Sequence, residues 1–206
     1  MSKRHALVKQ LQAVEALGQA HVIAVDKTGT ITKNELVVRD VWAAGQLFSV
    51  AGVGYDPVGA LVHNGEVVDA ANHSEILLAG KIAALSATAH VAYVAEERRF
   101  QVSGDPTEAA ISVFGERVGF RRDDLLRESS LTAHVPFDYR LKYHATLVRE
   151  GRDTTLLVSG APESVLARCS HVQSGVAVHA LTAEEQSRLE QHFADMTDKG
   201  LRVVAL

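Results

Sequence analysis

The sharpest chemistry in this chain lies in five consecutive residues, Asp26-Lys27-Thr28-Gly29-Thr30. They follow His21–Val25, a continuous apolar run that reads as a short buried strand. A carboxylate just past the C-terminal end of such a strand stands where open α/β sheets place their ligands. Around Asp26 the sequence sets two hydroxyls, Thr28 and Thr30, a cation, Lys27, and the conformationally free Gly29. These are the parts needed around a phosphoryl group carried on a carboxylate. Asp acts as the nucleophile, amides and hydroxyls hold the phosphoryl oxygens, and Mg²⁺ offsets the charge. The same residues also make an ordinary Asx turn after a strand, and the residues alone leave both readings open.

The elements that must position this segment follow from periodicity. Leu7, Val8, Leu11, Val14 and Leu17 recur on a helical period, and Gly18 is placed to end that helix. Strand-like segments are expected at Glu35–Trp42, Gln46–Val50 and Glu66–Val68, and a helix over Ser74–Thr88 with Ser74 as its N-cap. A second long helix spans Pro106–Val118, and strands are expected at Leu131–Val135, Tyr143–Arg149 and Thr154–Val158. Short helices should start at Pro162 and at Thr182, where Thr182 and Glu185 have the spacing of a capping box. The pattern predicts a small α/β start feeding an α+β insertion, a mostly antiparallel sheet flanked by helices. No internal repeat or linker is visible. The chain stops inside the apolar run Leu201–Leu206, so it reads as a cut fragment.

Composition narrows the function. With 206 residues, 47% apolar and 22% charged, the chain is globular rather than disordered. Lys and Arg total 21 against 25 Asp and Glu, a balance that argues against a nucleic-acid binder. The lone Cys169 excludes an internal disulfide framework and fits a reducing compartment. Val41–Tyr55 is uncharged but is interrupted by glycines and is shorter than the roughly 20 residues of a membrane span. Met1–His5 has no apolar core behind it and is no secretory signal. The ten histidines form no HxH, HExxH or HxxxH pattern and read as structural or surface residues. Arg98-Arg99 and Arg121-Arg122-Asp123-Asp124 read as solvated faces.

HVIAVDKTGTIT resembles the phosphorylation site of the P-type ATPases, in which the Asp of DKTGT becomes an aspartyl phosphate. The resemblance implies that Asp26 is phosphorylated, that Lys27 and Thr28 belong to the catalytic segment, and that Asp26 and Thr28 belong to the Mg²⁺ environment. An alternative is a soluble haloacid-dehalogenase-like phosphatase. Those enzymes typically carry a second Asp two positions on, where this chain has Thr28. Without that base a phosphoenzyme should persist, which suits a pump. A third class is a nucleotide-sensing module without chemistry.

Further family motifs occur in the family's order: Gly104-Asp105-Pro106-Thr107-Glu108, Pro136-Phe137-Asp138 with Lys142, Gly160-Ala161-Pro162-Glu163, and Gly200-Leu201-Arg202. Each has a plainer reading. Asp105, Pro106 and Glu108 fit a helix start with a capping box, Phe137 fits a core position, and Lys142 and Arg202 fit surface cations. The resemblance assigns Glu108, Phe137, Lys142, Ser159, Gly160, Ala161 and Arg202 to nucleotide binding. In that role Phe137 would stack on adenine, Glu108 would accept from its amine, and Lys142 and Arg202 would face the phosphates. Most members carry Lys where this chain has Ser159, so weaker ATP binding is expected unless Lys142 or Arg140 compensates.

The whole resembles the cytosolic part of a type II P-type cation pump using ATP and Mg²⁺. Residues 1–35 are expected to be the first segment of a Rossmann-like, haloacid-dehalogenase-type phosphorylation domain. Residues 36–206 would be a C-terminally truncated nucleotide-binding domain. The implied partners are ATP and the remainder of the pump: the rest of the phosphorylation domain, the actuator domain and the membrane helices. The TGD and GDGxND motifs that complete the Mg²⁺ site are absent from the sequence. The fragment is therefore expected to be soluble and monomeric, to bind nucleotide, and neither to autophosphorylate nor to transport.

Overall fold

A computed structural model describes residues 11–175 and 177–206. The described residues fall into two units, one ending at Asn34 and the other running from Glu35 to Leu206. In the first, helix α1 (Leu11–Gly18) ends at the glycine expected to stop it, while Leu7 and Val8 lie outside the described residues, as does Met1–His5. His21–Val25 forms no strand. Val22 and Ile23 are 85% and 83% exposed, and no described segment pairs with them. A strand exists only through its ladder, so an apolar run without a partner stays extended and solvated.

The second unit contains eleven strands in four antiparallel sheets. A meander joins β1 (Asp40–Ala43), β2 (Gln46–Gly52), β3 (Gly59–His63) and β4 (Glu66–Val68). Helix α2 (Ser74–Ser86) follows, then the hairpin β5 (His90–Val94) and β6 (Arg99–Ser103), then α3 (Pro106–Arg117) and the short α4 (Arg122–Glu128). A second meander, β7 (Ser130–Asp138), β8 (Tyr143–Glu150) and β9 (Asp153–Gly160), leads into α5 (Pro162–Leu166). The hairpin β10 (His171–Ser174) and β11 (Ala177–Ala180) precedes α6 (Ala183–Asp198). The antiparallel character matches expectation, with the pairing divided among separate sheets. The strand expected at Glu35–Trp42 is shorter and starts at Asp40.

Helices α2 and α3 form the centre. A Cβ on Gly115 would stand 3.0 Å from Ala84, and one on Gly80 would stand 2.7 Å from Val118. Glycine inside a helix costs about 1 kcal/mol against alanine, but here it lets the two helices approach closely. On one side Phe48, Leu61, Ile76, Ile111 and Phe114 form the main core with the first meander. On the other, Leu85 packs against Val148 and Leu157 of the second meander. Tyr55, Ala89, Ala109 and Val113 make a third cluster with the β5–β6 hairpin.

Two arginines hold this arrangement. The Arg117 guanidinium donates to the Gly54 and Asp56 carbonyls, in space that the missing side chains of Gly52 and Gly59 leave. Arg122 donates to the carbonyls of Ala84, Leu85 and Ala87 at 3.2, 2.7 and 2.5 Å. The last turn of α2 contains no cation of its own, so Arg122 satisfies its orphan carbonyls from another element. Its reading as part of a solvated face is therefore wrong. Likewise α2 is preceded by His73 rather than capped by Ser74, and no side chain caps it. The capping box of Thr182 and Glu185 forms as expected.

Candidate nucleotide site and phosphorylation segment

The Asp26 segment is exposed throughout. Asp26 Oδ1 accepts from the Thr28 amide at 3.3 Å, and the Thr32 amide returns to the Lys27 carbonyl at 3.1 Å, closing a tight loop. Gly29 sits at φ 77°, where a side chain would strain the backbone, which explains glycine at this point of the motif. The Asx turn is thus present, and it leaves Asp26 Oδ2 and the Thr28 hydroxyl outside the turn's own bonds. Among the described residues no group of three or more His, Cys, Asp or Glu could hold a metal. Asp26 offers one carboxylate. That fits Mg²⁺, which is commonly held by one or two carboxylates together with substrate phosphate oxygens.

Of the motif residues between 104 and 202, Glu108 and Arg202 meet at the N-terminus of α3, and Glu108 is linked through His144 to the strand pair that ends at Gly160. Asp105 caps α3 by accepting from the Thr107 and Glu108 amides. The sequence also allowed Glu108 to fold back on the cap, but its carboxylate turns elsewhere. Oε2 accepts from the Thr88 amide at 2.8 Å and from the Thr88 hydroxyl, and Oε1 faces His144 Nδ1 at 3.2 Å. Hydrogen bonding from His144, and then from Thr88, holds the Glu108 carboxyl at about 2, against burial, which raises it. Glu108 is therefore an ionised, firmly oriented carboxylate.

His144 pairs with Ser159 across the β8–β9 ladder, and both are 4% exposed. Next to Ser159, Gly160 pairs with Tyr143 and also exchanges two backbone hydrogen bonds with Ala205, at 3.0 and 2.9 Å. A Cβ on Gly160 would stand 2.4 Å from the Lys142 carbonyl, so glycine is required for this close approach. The Ala161 amide donates to that same carbonyl at 2.8 Å. Lys142 occupies a left-handed backbone position (φ 58°), and its Nζ reaches Glu163 at 2.9 Å. That hydrogen bond, the largest influence, holds the Glu163 carboxyl below its usual range. Arg202 donates to the Thr107 hydroxyl at 2.9 Å, which brings the end of the chain to the first turn of α3.

Phe137 lies at an irregularity in β7, one residue before Asp138, which pairs with Tyr143. It is 47% exposed rather than buried in the core, and its ring meets Tyr139 edge-on at 5.3 Å. Asp138 Oδ1 accepts from the Arg140 and Leu141 amides and shapes the turn that carries both Tyr139 and Lys142. Sequence reasoning missed Thr88 and His144. Neither lies in a motif, and only tertiary pairing brings them to Glu108.

The arrangement defines an α/β protein in which an oriented carboxylate and Arg202 meet at the start of α3, while Lys142 pairs with Glu163 at the start of α5 and the exposed Phe137 lies on β7. A family model described as "P-type ATPase, cytoplasmic domain N" matches residues 77–206. Over its full length the chain is 33% identical to cation-transporting ATPase pma1 of Synechocystis, spanning 23% of that protein. It is 34% identical to probable cation-transporting ATPase F of Mycobacterium tuberculosis, spanning 22% of it. With human calcium-transporting ATPase type 2C member 1 the identity is 32%, and again 22% of the relative is spanned. The chain belongs to the P-type ATPase family and contains its cytoplasmic N domain. It corresponds to less than a quarter of the length of these relatives.

Proposed function

We propose that the chain is the ATP-binding part of a cation-transporting P-type ATPase, together with the segment that is phosphorylated. What carries this reading is the convergence of motif residues more than 90 positions apart, with Arg202 on Thr107 and Glu108 beside the strand pair ending at Gly160. Adenine stacks on Phe137, and the base is bounded by Glu108, Ser159, Gly160 and Ala161. Lys142 and Arg202 face the phosphates, and ATP draws Lys142 from its exposed pairing with Glu163.

In the intact pump the Asp26 carboxylate attacks the γ-phosphorus in line. The bond to the β–γ bridging oxygen breaks, and ADP leaves with that electron pair. When bound, Mg²⁺ neutralises charge developing on the phosphoryl oxygens, with Asp26 and Thr28 among its surroundings. Lys27 adds a fixed positive charge beside Asp26. The break between compact units at Asn34 and Glu35 supports residues 1–35 as the start of the phosphorylation domain and 36–206 as the nucleotide domain. Decay of the phosphoenzyme then drives cation movement through membrane helices elsewhere in the pump, with this part on the cytosolic side. Among the described residues no helix is long and apolar enough to cross a membrane.

Calorimetric titration of the chain tests the binding half of this reading. ATP binds more tightly than GTP, and Phe137→Ala weakens ATP about tenfold or more, since stacking contributes about 1–3 kcal/mol per base. Equal affinity for ATP in the Phe137→Ala variant overturns the assignment.

A further inference from the structure

Between Asn34, where the first unit ends, and Asp40, where β1 begins, the chain belongs to no strand, yet its backbone is held. The Arg39 carbonyl accepts from the Val50 amide of β2 at 2.7 Å, and Val38 packs against the main core. Nearest the boundary, the Leu36 amide donates to the Tyr55 hydroxyl at 3.2 Å. Tyr55 is 5% exposed, so a packed and rigid side chain grips the main chain where it enters the second unit.

The grip is itself anchored. Tyr55 lies in the β2–β3 loop and clusters with Ala109 and Val113 of α3. The Arg117 guanidinium, at the end of the same helix, holds the Gly54 and Asp56 carbonyls on either side of it. The Glu35 carboxylate lies over Gly54, where a Cβ would stand 3.0 Å from Oε2. One helix therefore carries Glu108 and the Arg202 contact in its first turn and supports the Tyr55 loop further along. Before Leu36 the character changes: residues 18–35 are exposed, and Asn34 adopts a left-handed backbone (φ 54°), which asparagine tolerates better than most residues.

We propose that Tyr55 is a positioning residue for phosphoryl transfer: its hydroxyl holds Leu36, so that the free linker behind Asp26 ends at Glu35. This rests on the ATP-binding and phosphorylation reading above. With Leu36 released, the free stretch extends toward the next fixed point at Arg39. A longer free linker lowers the effective concentration of one tethered group at the other, and in-line geometry is met less often. Tyr55 touches neither nucleotide nor Asp26, so it acts on the transfer step and not on ATP affinity.

Tyr55→Phe keeps the ring and removes the oxygen. In the intact pump it lowers the rate of phosphoenzyme formation from saturating ATP about tenfold, at unchanged ATP affinity. Phosphoenzyme formed from inorganic phosphate and Mg²⁺, the reversal of aspartyl-phosphate hydrolysis, needs no nucleotide domain and keeps its wild-type level. A purely structural loss lowers both routes together. In the 206-residue chain, hydrogen exchange of the Leu36 amide is slowed in the wild type and loses that protection in Tyr55→Phe. If the variant takes phosphate from ATP at the wild-type rate, if both routes fall together, or if the Leu36 amide is unprotected in the wild type, Tyr55 does not position the transfer, while the ATP reading stands. If the wild-type pump forms no phosphoenzyme from ATP, the phosphorylation reading falls and this one with it.

Discussion

The proposed phosphorylation segment and the proposed nucleotide site organise their residues in opposite ways. Around Asp26 everything relevant lies within seven residues, fully exposed, held by an Asx turn and one left-handed glycine. Around Glu108 the participants come from Thr88 to Arg202, and each is held by something distant in sequence. A nucleophile needs an accessible carboxylate on a defined loop, which a pentapeptide can encode. Recognition of a base and its phosphates needs surfaces from several directions, which only a packed fold supplies.

Three changes sharpen that contrast, beginning with the largest effect. Asp26→Asn in the intact pump should abolish acid-stable phosphoenzyme, measured by radiolabel from γ-labelled ATP. In the isolated chain the same change should leave ATP affinity and the urea midpoint unaltered, because Asp26 supports nothing beyond its own turn. An altered ATP affinity in that variant means that the two regions are not separable.

Arg122→Met should lower unfolding free energy by about 2 kcal/mol in urea, since three carbonyls at the end of α2 lose a charged donor. ATP affinity of the folded fraction should stay within about twofold, because Arg122 holds the scaffold and not the nucleotide. An unchanged urea midpoint contradicts the capping role.

Glu108→Gln gives a smaller, pH-dependent effect. The Glu108 carboxyl is lowered from 4.5 to about 2 on folding, chiefly by His144. A lowered carboxyl contributes stability that is complete above the unfolded value and lost as pH falls through the folded one. The wild type should therefore exceed the variant by about 1–2 kcal/mol at neutral pH, with the gap closing between about pH 4.5 and 2. A gap independent of pH means that the carboxylate's charge is not what the cluster uses.

How much was legible in the sequence follows the same division. The DKTGT loop could be read directly, and so could elements with strong punctuation: α3 behind Asp105 and Pro106, α5 at Pro162, α6 at its capping box. The β5–β6 hairpin was not, because its turn carries Arg98 at φ 50° where the usual signal is glycine or asparagine. His21–Val25 misled because apolar content was taken for burial without a partner strand in view. Arg122 was hidden in a run of charges whose surroundings only the α2 terminus reveals. The motif residues of the site were visible as types in order. That Glu108 faces a buried histidine was not, since ladder register decides what sits beneath it.

The most direct measurement of the central claim is a two-dimensional amide NMR titration of this chain with ATP, AMP and GTP. The account predicts that ATP and AMP shift a common set of amides around Glu108, Phe137, His144, Gly160 and Arg202, that GTP shifts them far less, and that residues 26–30 stay unmoved. A dispersed spectrum in which those amides do not respond to millimolar ATP contradicts it.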